Sequence, residues 1–478
     1  MTRRPRSPST SLRRVVAATT SSNPLLSIVL SPAFFISDLR SDQCGQRRST
    51  RHDGFVNQPP SIVDPSDEGL ALREWITTAE AARLLGVKRE TLYAYTSRGL
   101  VRSAPTAGSR ERVYHREDVE RLRTRSLARS GHAAVAASAL RWGEPVLETR
   151  VGAIDAGGPR YRGKSAVEMA KQGSSFEEVC GLLWEGSFVL GPELAQRRLG
   201  ASLAHLRGLL RAGGEPFDGM LVTAAALAAS EPRAEPTVEM ARVRAPVLLR
   251  RLVAACGLPR GADAVNGAIE AETVARAVLV ALGGRTTNDR VAAMNEALVV
   301  SADHELNAST FAARIAASSA ASLPACAMAA LGALSGPLHG ALTARVEALV
   351  TEIGKPERAA VVVGERLSRG ESVPGFGHPL YPEGDPRGAL LMEVAQRIGA
   401  KTPRVRVLVA AANAMQLVAR ERPTLDLGLV ALAAALGLPK GAALAIFACG
   451  RIAGWVAHVL EQREAGFLLR PRARYVGP

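Results

Sequence analysis

Three of the eight histidines in the chain stand in sequence contexts that favour chemistry. They are His304 in SADHELNAST, His339 in SGPLHGAL and His378 in PGFGHPLY. Pro337 suits the first turn of a helix because its missing N–H costs nothing there, so we predict that His339 lies in such a turn. The positive helix end disfavours imidazolium, and a neutral imidazole N–H can polarise a carbonyl without losing its proton. A capping-region histidine bonded to solvent is the alternative.

The segment around His378 is rich in glycine and proline. Gly375 and Gly377 allow the backbone to approach a ligand closely, and the flanking prolines restrict the freedom of the loop. Nine residues after His378, Arg387 follows an Asp-Pro pair that is predicted to start a helix. A histidine and an arginine on one rigid loop could bind a carboxylate and protonate an adjacent oxygen. A surface turn that happens to hold a histidine would have the same local sequence.

Two further charged residues, Asp426 and Arg451, lie in predicted helices. Thr424 can cap the helix that carries Asp426 in its first turn, where the helix dipole alone favours an acid. Arg451 lies inside the apolar helix ALAIFACGRIAGWVAHVL, where an unpaired guanidinium would be expensive. Either this side chain reaches the surface along its apolar stem or it pairs with a buried anion, such as a substrate carboxylate.

The elements that must position these residues are predicted to be helices. The 478 residues exceed what one hydrophobic core supports, so two or more domains are expected. Hydrophobic residues make up 47% of the chain and aromatic residues only 4%, which favours close-packed helices of Ala, Leu and Val. From about Gly152 onward, long helical patterns alternate with Gly and Pro breaks. The uncharged run from Ile315 to Leu338 is predicted to be a buried helix pair rather than a membrane span.

The N-terminal segment, residues 1–72, is rich in Ser, Pro and Arg without sustained periodicity and is predicted to be a disordered basic tail. Its arginines and its lack of acids before Asp38 would also suit a transit peptide, and NPLLSIVLSPAFFIS would suit a weak signal sequence. The five cysteines are far apart and form no CxxC pair, so no zinc or other metal site and no disulfide framework is predicted. A reducing cytoplasm is the expected location.

Positive charge is concentrated in a short module ahead of the helical part. Residues 73–129 carry 13 basic and 7 acidic residues, a net charge of +6. Thr77 or Thr78 can cap a first helix, Gly86 permits a tight turn, and a second helix is predicted from Val87 to about Ser97. An arginine-bearing loop and the helical pattern HREDVERL follow. Two short helices joined by a glycine turn, with a basic loop, indicate a helix-turn-helix with a wing.

This module resembles the winged helix of the MerR and excisionase type over roughly residues 73–124, through AARLLGV, TLY, RGLV and EDVERL. The resemblance implies that the second helix enters the major groove of DNA and that the wing meets phosphates. The residues implied in DNA binding are Lys88, Arg89, Thr91, Tyr93, Arg110 and Arg112. A module that only dimerises or caps the next domain is the alternative.

The larger part of the chain resembles the citrate synthase superfamily over about residues 144–478. Ordered blocks carry the resemblance: YRGKSAVEMAKQGSSFEEV, ADHELNASTFAAR, GPLHG, GFGHPLYPEGDPR, PTLDLGLVALAAALGLP, GRIAGWVAHVLEQ and LLRPRARYVGP. It implies a mainly α, two-domain helical fold with a small subdomain near residues 342–440. The expected domains are a winged helix-turn-helix at 73–125, a linker at 126–150 and the citrate synthase-like part at 151–478.

The resemblance also implies a role for each singled-out residue. His339 would donate to an acyl-CoA thioester oxygen, Asp426 would remove a proton from the acyl carbon, and His378 would donate to the ketone oxygen of a 2-oxo acid. Each positioned acid or base would contribute ~10²–10⁴-fold to the rate. Carboxylates of that acid would be held by His304, Arg387 and Arg451, and by Arg470 of the partner subunit in a homodimer.

The expected activity is therefore condensation of an acyl-CoA with a 2-oxo dicarboxylic acid, as in the citrate-forming step of the tricarboxylic acid cycle. Coenzyme A thioester would be a co-substrate, with no tightly bound cofactor. Two departures weaken the resemblance: the family's DFYSG is DLGLV here, and the PLYPEGD loop has no basic residue for coenzyme A phosphates. The alternatives are 2-methylcitrate synthesis, a metabolite-sensing transcription regulator that uses this fold as its effector domain, and an enzyme whose small module is only structural.

Overall fold

A computed structural model describes most of the chain after residue 74. The described residues are 75–105, 112–116, 118–120, 122, 147–189, 199, 201–232, 237–471, 473, 475 and 477. The predicted basic tail, the wing residue Arg110 and most of the predicted linker lie outside the described residues.

The N-terminal module is a small winged helix-turn-helix. Its elements are β1 (Trp75–Thr77), α1 (Thr78–Leu85), α2 (Arg89–Ser97), β2 (Ser103–Pro105) and β3 (Arg112–His115). The strands form an antiparallel sheet in the order β1-β3-β2, and the backbone is helical again at residues 116, 118–120 and 122. A separate apolar core, which includes Ile76, Ala81, Leu92 and Tyr114, holds these elements together.

The local sequence explains the turn between α1 and α2. The Thr77 hydroxyl accepts from the Glu80 amide at 3.2 Å and caps α1, as predicted for this threonine pair. Gly86 has φ of 63°, a left-handed conformation that glycine adopts without steric cost, and it ends α1. Helix α2 begins at Arg89, two residues later than predicted, because Val87 and Lys88 form the turn.

The C-terminal part is almost entirely helical and opens with a small antiparallel sheet in the order β4-β5-β6. Its strands are β4 (Gly152–Asp155), β5 (Gly158–Tyr161) and β6 (Lys164–Ser165). The α-helices up to the first site loop are α3 (Ala166–Lys171), α4 (Phe176–Trp184), α5 (Leu203–Gly208), α6 (Pro216–Ser230), α7 (Val238–Ala255), α8 (Ala262–Glu270), α9 (Val274–Leu282) and α10 (Asn288–Ser301). The remaining α-helices are α11 (Ala308–Ser318), α12 (Leu323–Leu334), α13 (Leu342–Ile353), α14 (Ala359–Ser368), α15 (Pro386–Gly399), α16 (Pro403–Val418), α17 (Leu425–Ala435) and α18 (Ala442–Ala465).

Helix α18 runs through the core of this part and packs against α7, α10, α11, α12 and α17. It is apolar on all sides, which is the pattern of a fully buried helix. Within the described part of the chain it is also the helix that is long and apolar enough to cross a membrane, judged by length and composition. Its apolar stretch is 94% buried inside the protein. The predicted buried pair corresponds to α11 and α12, whose outer residues Ile315 and Met328 are exposed.

Helices α15 and α17 cross at very short range, and this crossing positions two site residues. A Cβ added to Gly388 would lie 2.5 Å from the Pro423 carbonyl oxygen, and one added to Gly428 would lie 2.8 Å from Leu391 Cβ. Glycine at both positions therefore lets the two helices approach each other backbone to backbone. As a result, the N-termini of α15 and α17, which carry Arg387 and Asp426, lie side by side.

Candidate active site

The candidate site lies where three loops meet the ends of helices α15 and α17 and the middle of α18. His304 lies between α10 and α11, His339 between α12 and α13, and His378 between α14 and α15. Arg387 is in the first turn of α15, as the Asp-Pro pair predicted, and its N-cap residue is Asp385.

The loop that carries His378 is fixed to the segment that leads into α17. The Thr424 amide donates to the Gly375 carbonyl at 2.9 Å, and the Gly377 amide donates to the Arg422 carbonyl at 3.3 Å. Gly375 and Gly377 have φ of 90° and 70°, a left-handed backbone that the glycines permit. The glycines thus allow the loop that carries His378 to run against the chain just before Asp426.

Tyr381 connects the two histidines and the arginine of this region. Its hydroxyl lies 2.9 Å from His304 Nε2, and its ring centroid lies 5.0 Å from that of His378. The Arg387 guanidinium carbon lies 5.3 Å from the same ring, within cation–π range. The ring centroids of His304 and His378 are 5.5 Å apart. The structure therefore brings His304, His378 and Arg387 together, as predicted.

The Leu380 amide donates to His378 Nδ1 at 3.1 Å. A neutral His378 with Nδ1 as acceptor carries its proton on Nε2, so Nε2 is the nitrogen that can donate. The pKa of His378 is below its usual value because the ring is partly buried and because Arg387 lies close to it. At neutral pH the ring is therefore an uncharged hydrogen-bond donor.

His339 is not in the first turn of a helix, contrary to the sequence prediction. Helix α13 begins at Leu342, and residues 335–340 form consecutive turns in which the His339 amide donates to the Gly336 carbonyl at 3.0 Å. Pro337 predicts a helix start, but it lies within these turns. The imidazole is nevertheless neutral, because burial and then the charge of Arg451 lower its pKa to about 4.

Ser309 fixes the ring of His339. The Ser309 hydroxyl oxygen lies 2.9 Å from His339 Nε2 and accepts from the Trp455 indole N–H at 3.2 Å. The hydroxyl donates to Asn307 Oδ1 at 2.8 Å. No described residue forms a hydrogen bond with His339 Nδ1. The two ring nitrogens are therefore distinct, with Nε2 on the protein and Nδ1 left for a ligand.

Asp426 lies in the first turn of α17, as predicted, but Thr424 does not cap that helix through its side chain. The Thr424 hydroxyl is buried without a hydrogen-bond partner in the described structure. The Asp385 carboxylate instead accepts from the Leu425 amide at 3.0 Å. Burial raises the pKa of Asp426 to about 6, with Arg387 opposing this shift and Asp385 adding to it. A carboxylate with such a pKa is suited to act as a base near neutral pH.

The two arginines of the site are both buried, with exposures of 2% for Arg387 and 1% for Arg451. Arg387 is paired through two nitrogens with Asp385, at 2.9 and 2.8 Å. Burial opposes its charge, but the pair with Asp385 raises the pKa of Arg387 above its usual value. Arg451 does not reach the surface, so the first of its two predicted alternatives is wrong.

Arg451 has no carboxylate partner of its own. Its Nε donates to the Ser301 carbonyl at 2.8 Å, and its guanidinium carbon lies 4.8 Å from the Phe447 ring centroid. No acceptor among the described residues contacts its two terminal nitrogens. Burial lowers the pKa of Arg451 to about 10, which still leaves it charged at neutral pH. Its field and that of Arg387 add to burial in lowering the pKa of His304 well below the usual value.

Other predicted residues lie outside this cluster. Arg470 is exposed in the segment after α18, and no hydrogen bond or ion pair joins it to another described residue. In the winged helix, Lys88, Arg89 and Tyr93 are exposed along α2, and Thr91 is half-buried. Arg112 is exposed on β3, where it donates to the Ser103 hydroxyl at 3.0 Å.

Sequence reasoning missed Tyr381, Asp385 and Ser309. Tyr381 and Asp385 lie three and seven residues after His378, so both stood in the loop already singled out. Positive charge at this loop was also missed. Arg422 packs across the loop, and a Cβ added to Gly384 would lie 2.5 Å from Arg422 Cδ. An arginine from outside the loop therefore packs against Gly384.

Comparisons with known proteins agree with this geometry. The family model described as "Citrate synthase, C-terminal domain" matches residues 139–472, and the model described as "Helix-turn-helix domain" matches residues 75–126. The chain is 35% identical over 333 residues to "Putative citrate synthase 2" of Mycobacterium bovis, which covers 68% of this chain and 88% of that protein. It is 29% identical to "2-methylcitrate synthase" of Mycobacterium tuberculosis, over 66% of this chain and 84% of that protein.

A solved structure of citrate synthase from Thermoplasma acidophilum, in a ternary complex with carboxymethyl coenzyme A and oxaloacetate, is also similar. It aligns with a TM-score of 0.60 at 26% identity, over 70% of this chain and 94% of that one. The fold is thus that of citrate synthases, preceded by a helix-turn-helix region. From its family match and from the residues that meet at its site, the chain belongs to the citrate synthase family.

Proposed function

We propose that this protein condenses an acyl-CoA with a 2-oxo dicarboxylic acid, with acetyl-CoA and oxaloacetate as the first pair to test. The observation that carries the proposal is Arg451. A charged guanidinium that is 1% exposed, and whose terminal nitrogens have no acceptor among the described residues, is costly unless an anion joins it. A carboxylate of the 2-oxo acid matches it, because bidentate pairing with arginine satisfies both groups.

The first step is removal of a proton from the acyl carbon. That C–H bond is very weakly acidic, so the Asp426 carboxylate needs a hydrogen-bond donor on the thioester oxygen at the same moment. His339 Nδ1 is the nitrogen left for this task. For Nδ1 to carry the proton, the Ser309 hydroxyl must turn from Asn307 to His339 Nε2. Asn307 Oδ1 keeps the Thr310 amide as a donor at 3.1 Å, so this rotation leaves no buried acceptor unsatisfied.

The second step forms the carbon–carbon bond. The enol carbon attacks the ketone carbon of the 2-oxo acid, and His378 Nε2 donates a proton to the ketone oxygen, which becomes a hydroxyl. Arg387, Arg451 and His304 hold the carboxylates meanwhile. Water then cleaves the thioester, which gives a carboxylic acid and free coenzyme A.

The remaining predictions are part of the same proposal. Residues 342–440 would form a smaller subdomain whose closure excludes water before the proton is removed. Arg422, which packs against Gly384 in the His378 loop, would bind the phosphates of coenzyme A. Arg470 of the partner subunit would complete the carboxylate site in a homodimer, because the exposed Arg470 has no partner within the described part of its own chain. Acetyl-CoA gives a citrate synthase, and propionyl-CoA gives a 2-methylcitrate synthase.

The test is a coenzyme A release assay on the purified full chain with a panel of acyl-CoAs and 2-oxo acids. We expect release with at least one pair, and a loss of about 10²–10⁴-fold in kcat for Asp426→Ala and for His378→Ala. Thermal unfolding of both variants serves as the folding control. Absence of release with every pair would exclude the enzymatic proposal.

A second candidate function is DNA binding by the winged helix, with the citrate synthase fold as effector domain. The supporting observation is the exposed N-cap residue Lys88 with exposed Arg89 and Tyr93 on α2, and exposed Arg112 on β3. Cationic side chains on one exposed helix suit phosphate and base contacts in a groove. Enzymatic activity and DNA binding are compatible in one chain, whereas a purely structural module needs no exposed cationic face.

Fluorescence anisotropy with random duplex DNA at low salt tests this candidate. We expect binding that weakens steeply with salt, and a salt slope reduced by about 1 for Lys88→Ala or Arg89→Ala. Addition of oxaloacetate or acetyl-CoA tests the effector role, since a regulator's DNA affinity should change with the metabolite. No binding to any duplex at low salt would leave the module a structural role.

A further inference from the structure

The carboxylate of Asp385 has four hydrogen-bond donors around it and is completely buried. Its Oδ1 accepts from the Arg387 amide at 3.0 Å and from Arg387 Nε at 2.9 Å. Its Oδ2 accepts from an Arg387 terminal nitrogen at 2.8 Å and from the Leu425 amide at 3.0 Å. The side chain is 0% exposed. From the sequence, this residue is expected only to open the helix that carries Arg387.

These bonds join the N-termini of two helices whose residues, in the proposed function, contact different substrates. Helix α15 carries Arg387, which faces the 2-oxo acid, and helix α17 carries Asp426, which faces the acyl group. Asp385 is the N-cap residue of the first helix and, through the Leu425 amide, satisfies a donor at the start of the second. The unpartnered hydroxyl of Thr424 supports this reading, because the usual cap of α17 is not used.

Resting on the proposed function, we infer that Asp385 is a positioning residue for both halves of the reaction. It orients the Arg387 guanidinium toward the 2-oxo acid and fixes the first turn that carries Asp426. The Asp385 carboxylate thus keeps Arg387 and Asp426 in a fixed relative position, including during movement of the domains.

The position of Asp385 also has an electrostatic consequence for the base. Three charged groups act on Asp426: Arg387 and Asp385 from the start of α15, and Arg451 from α18. Asp385 offsets the attraction of Arg387, so burial dominates and the pKa of Asp426 is raised. Removing the charge of Asp385 leaves Arg387 unopposed, which lowers the pKa of the base and makes it weaker.

Two variants separate the bonds that Asp385 forms with Arg387 from the bond that it forms with the Leu425 amide. Asp385→Asn removes the charge and keeps one acceptor oxygen. In the position of Oδ2 that oxygen still accepts from the Leu425 amide and from an Arg387 terminal nitrogen, but the side-chain amide then faces the Arg387 amide and Nε donors, which lose their acceptor. Leu425→Pro removes the amide donor at the first helical position, where proline is well tolerated, and it also replaces a buried leucine side chain. Leu425→Ala keeps the amide and loses the same side chain, so the effect of the bond is the difference between these two variants. The matched control is Glu461→Gln, since Glu461 also pairs with a buried arginine, Arg314, at 2.6 Å, but does not act on Asp426.

The measurements are kcat, KM for the 2-oxo acid and the pH dependence of kcat. For Asp385→Asn we expect the acid limb of the kcat profile to move to lower pH and KM to rise at least tenfold. For Leu425→Pro we expect kcat to fall about tenfold with KM and the acid limb unchanged. Glu461→Gln should lower Tm only. An unmoved acid limb and KM in Asp385→Asn, or an unchanged kcat in Leu425→Pro, would overturn the inference.

Calorimetric binding of oxaloacetate distinguishes failure of this inference from failure of the proposed function. If the wild-type chain binds oxaloacetate but releases no coenzyme A, the condensation is wrong, and weaker binding by Asp385→Asn but not by Leu425→Pro still supports the orientation of Arg387. If the wild-type chain turns over and the two variants match Glu461→Gln, the inference is wrong and the function stands. A wild-type chain that does neither overturns both.

Discussion

The N-terminus of α15 and the middle of α18 each bury one arginine, and the two environments differ. Arg387 is neutralised by Asp385, which holds two of its nitrogens, whereas Arg451 has a backbone carbonyl, an aromatic face and no carboxylate in contact. Asp303 acts on Arg451 electrostatically without forming an ion pair. The same residue type therefore appears once as a paired group and once as an unpaired buried charge.

The difference teaches which arginine supplies charge to the site and which supplies geometry. A buried ion pair contributes little net charge, but its partner fixes the guanidinium in one orientation. An unpaired buried guanidinium is costly in the free protein and favourable once an anion arrives. In the proposed function, Arg387 is thus the oriented donor and Arg451 the main source of attraction for the 2-oxo acid.

The largest expected effect comes from breaking the pair. Arg387→Leu leaves the Asp385 carboxylate buried without its partner, which should lower the free energy of unfolding by about 3–5 kcal/mol. Urea unfolding measures it. The double variant Asp385→Leu/Arg387→Leu is the control, since removing both charges should restore most of the loss. Equal destabilisation by the single and double variants would show that the pair is not what stabilises this region.

Asp426 provides the next largest effect, because burial raises its pKa to about 6 even though the charges of both arginines lower that pKa. Its ionised form is disfavoured in the folded state, so stability is lost as pH rises from the ordinary value of 3.8 through 6. Asp426→Asn should therefore be more stable than wild type at pH 7.5 by roughly 3 kcal/mol, at 1.36 kcal/mol per pKa unit. The gain should vanish near pH 3.8, and a gain that persists there would contradict the raised pKa.

The sequence predicted that His304, His378 and Arg387 meet, but not how they are held. The glycines and prolines around His378 correctly indicated a fixed loop, which holds His378 beside His304. The sequence indicated no further role for Asp385, because the helix start alone explains the Asp-Pro pair. Its bond to the Leu425 amide, 40 positions away, depends on how α15 crosses α17, and spacing along the chain does not encode that crossing.

His339 illustrates the opposite case, in which a correct property was inferred from a wrong location. The proline before it indicated a helix start, and the helix dipole was expected to keep the imidazole neutral. The structure places it in turns before α13, and burial beside Arg451 keeps it neutral. In the winged helix, by contrast, caps and turn residues are local signals, so Thr77 and Gly86 were identified correctly.

A smaller effect is expected from the unpaired arginine. Arg451→Leu removes a buried charge that has no carboxylate partner, so Tm should stay level or rise, in contrast to Arg387→Leu. KM for the 2-oxo acid should rise about a hundredfold, since hydrogen bonds to charged groups contribute about 1.5–3 kcal/mol. Arg451→Lys is the control that keeps the charge. A fall in Tm as large as that of Arg387→Leu would remove the distinction between the two arginines.

The smallest effect should come from Tyr381, which joins the two regions. Its hydroxyl contacts His304, whose pKa is lowered by burial and by the charges of Arg387 and Arg451, and its ring lies beside Arg387. Tyr381→Phe keeps the ring and loses one hydrogen bond of about 1 kcal/mol, so kcat/KM for the 2-oxo acid should fall about fivefold. Tyr381→Leu also removes the cation–π contact and should cost a further few-fold. If the phenylalanine variant were as impaired as the leucine variant, the hydroxyl on His304 would carry the whole effect, and the contact to Arg387 would contribute nothing.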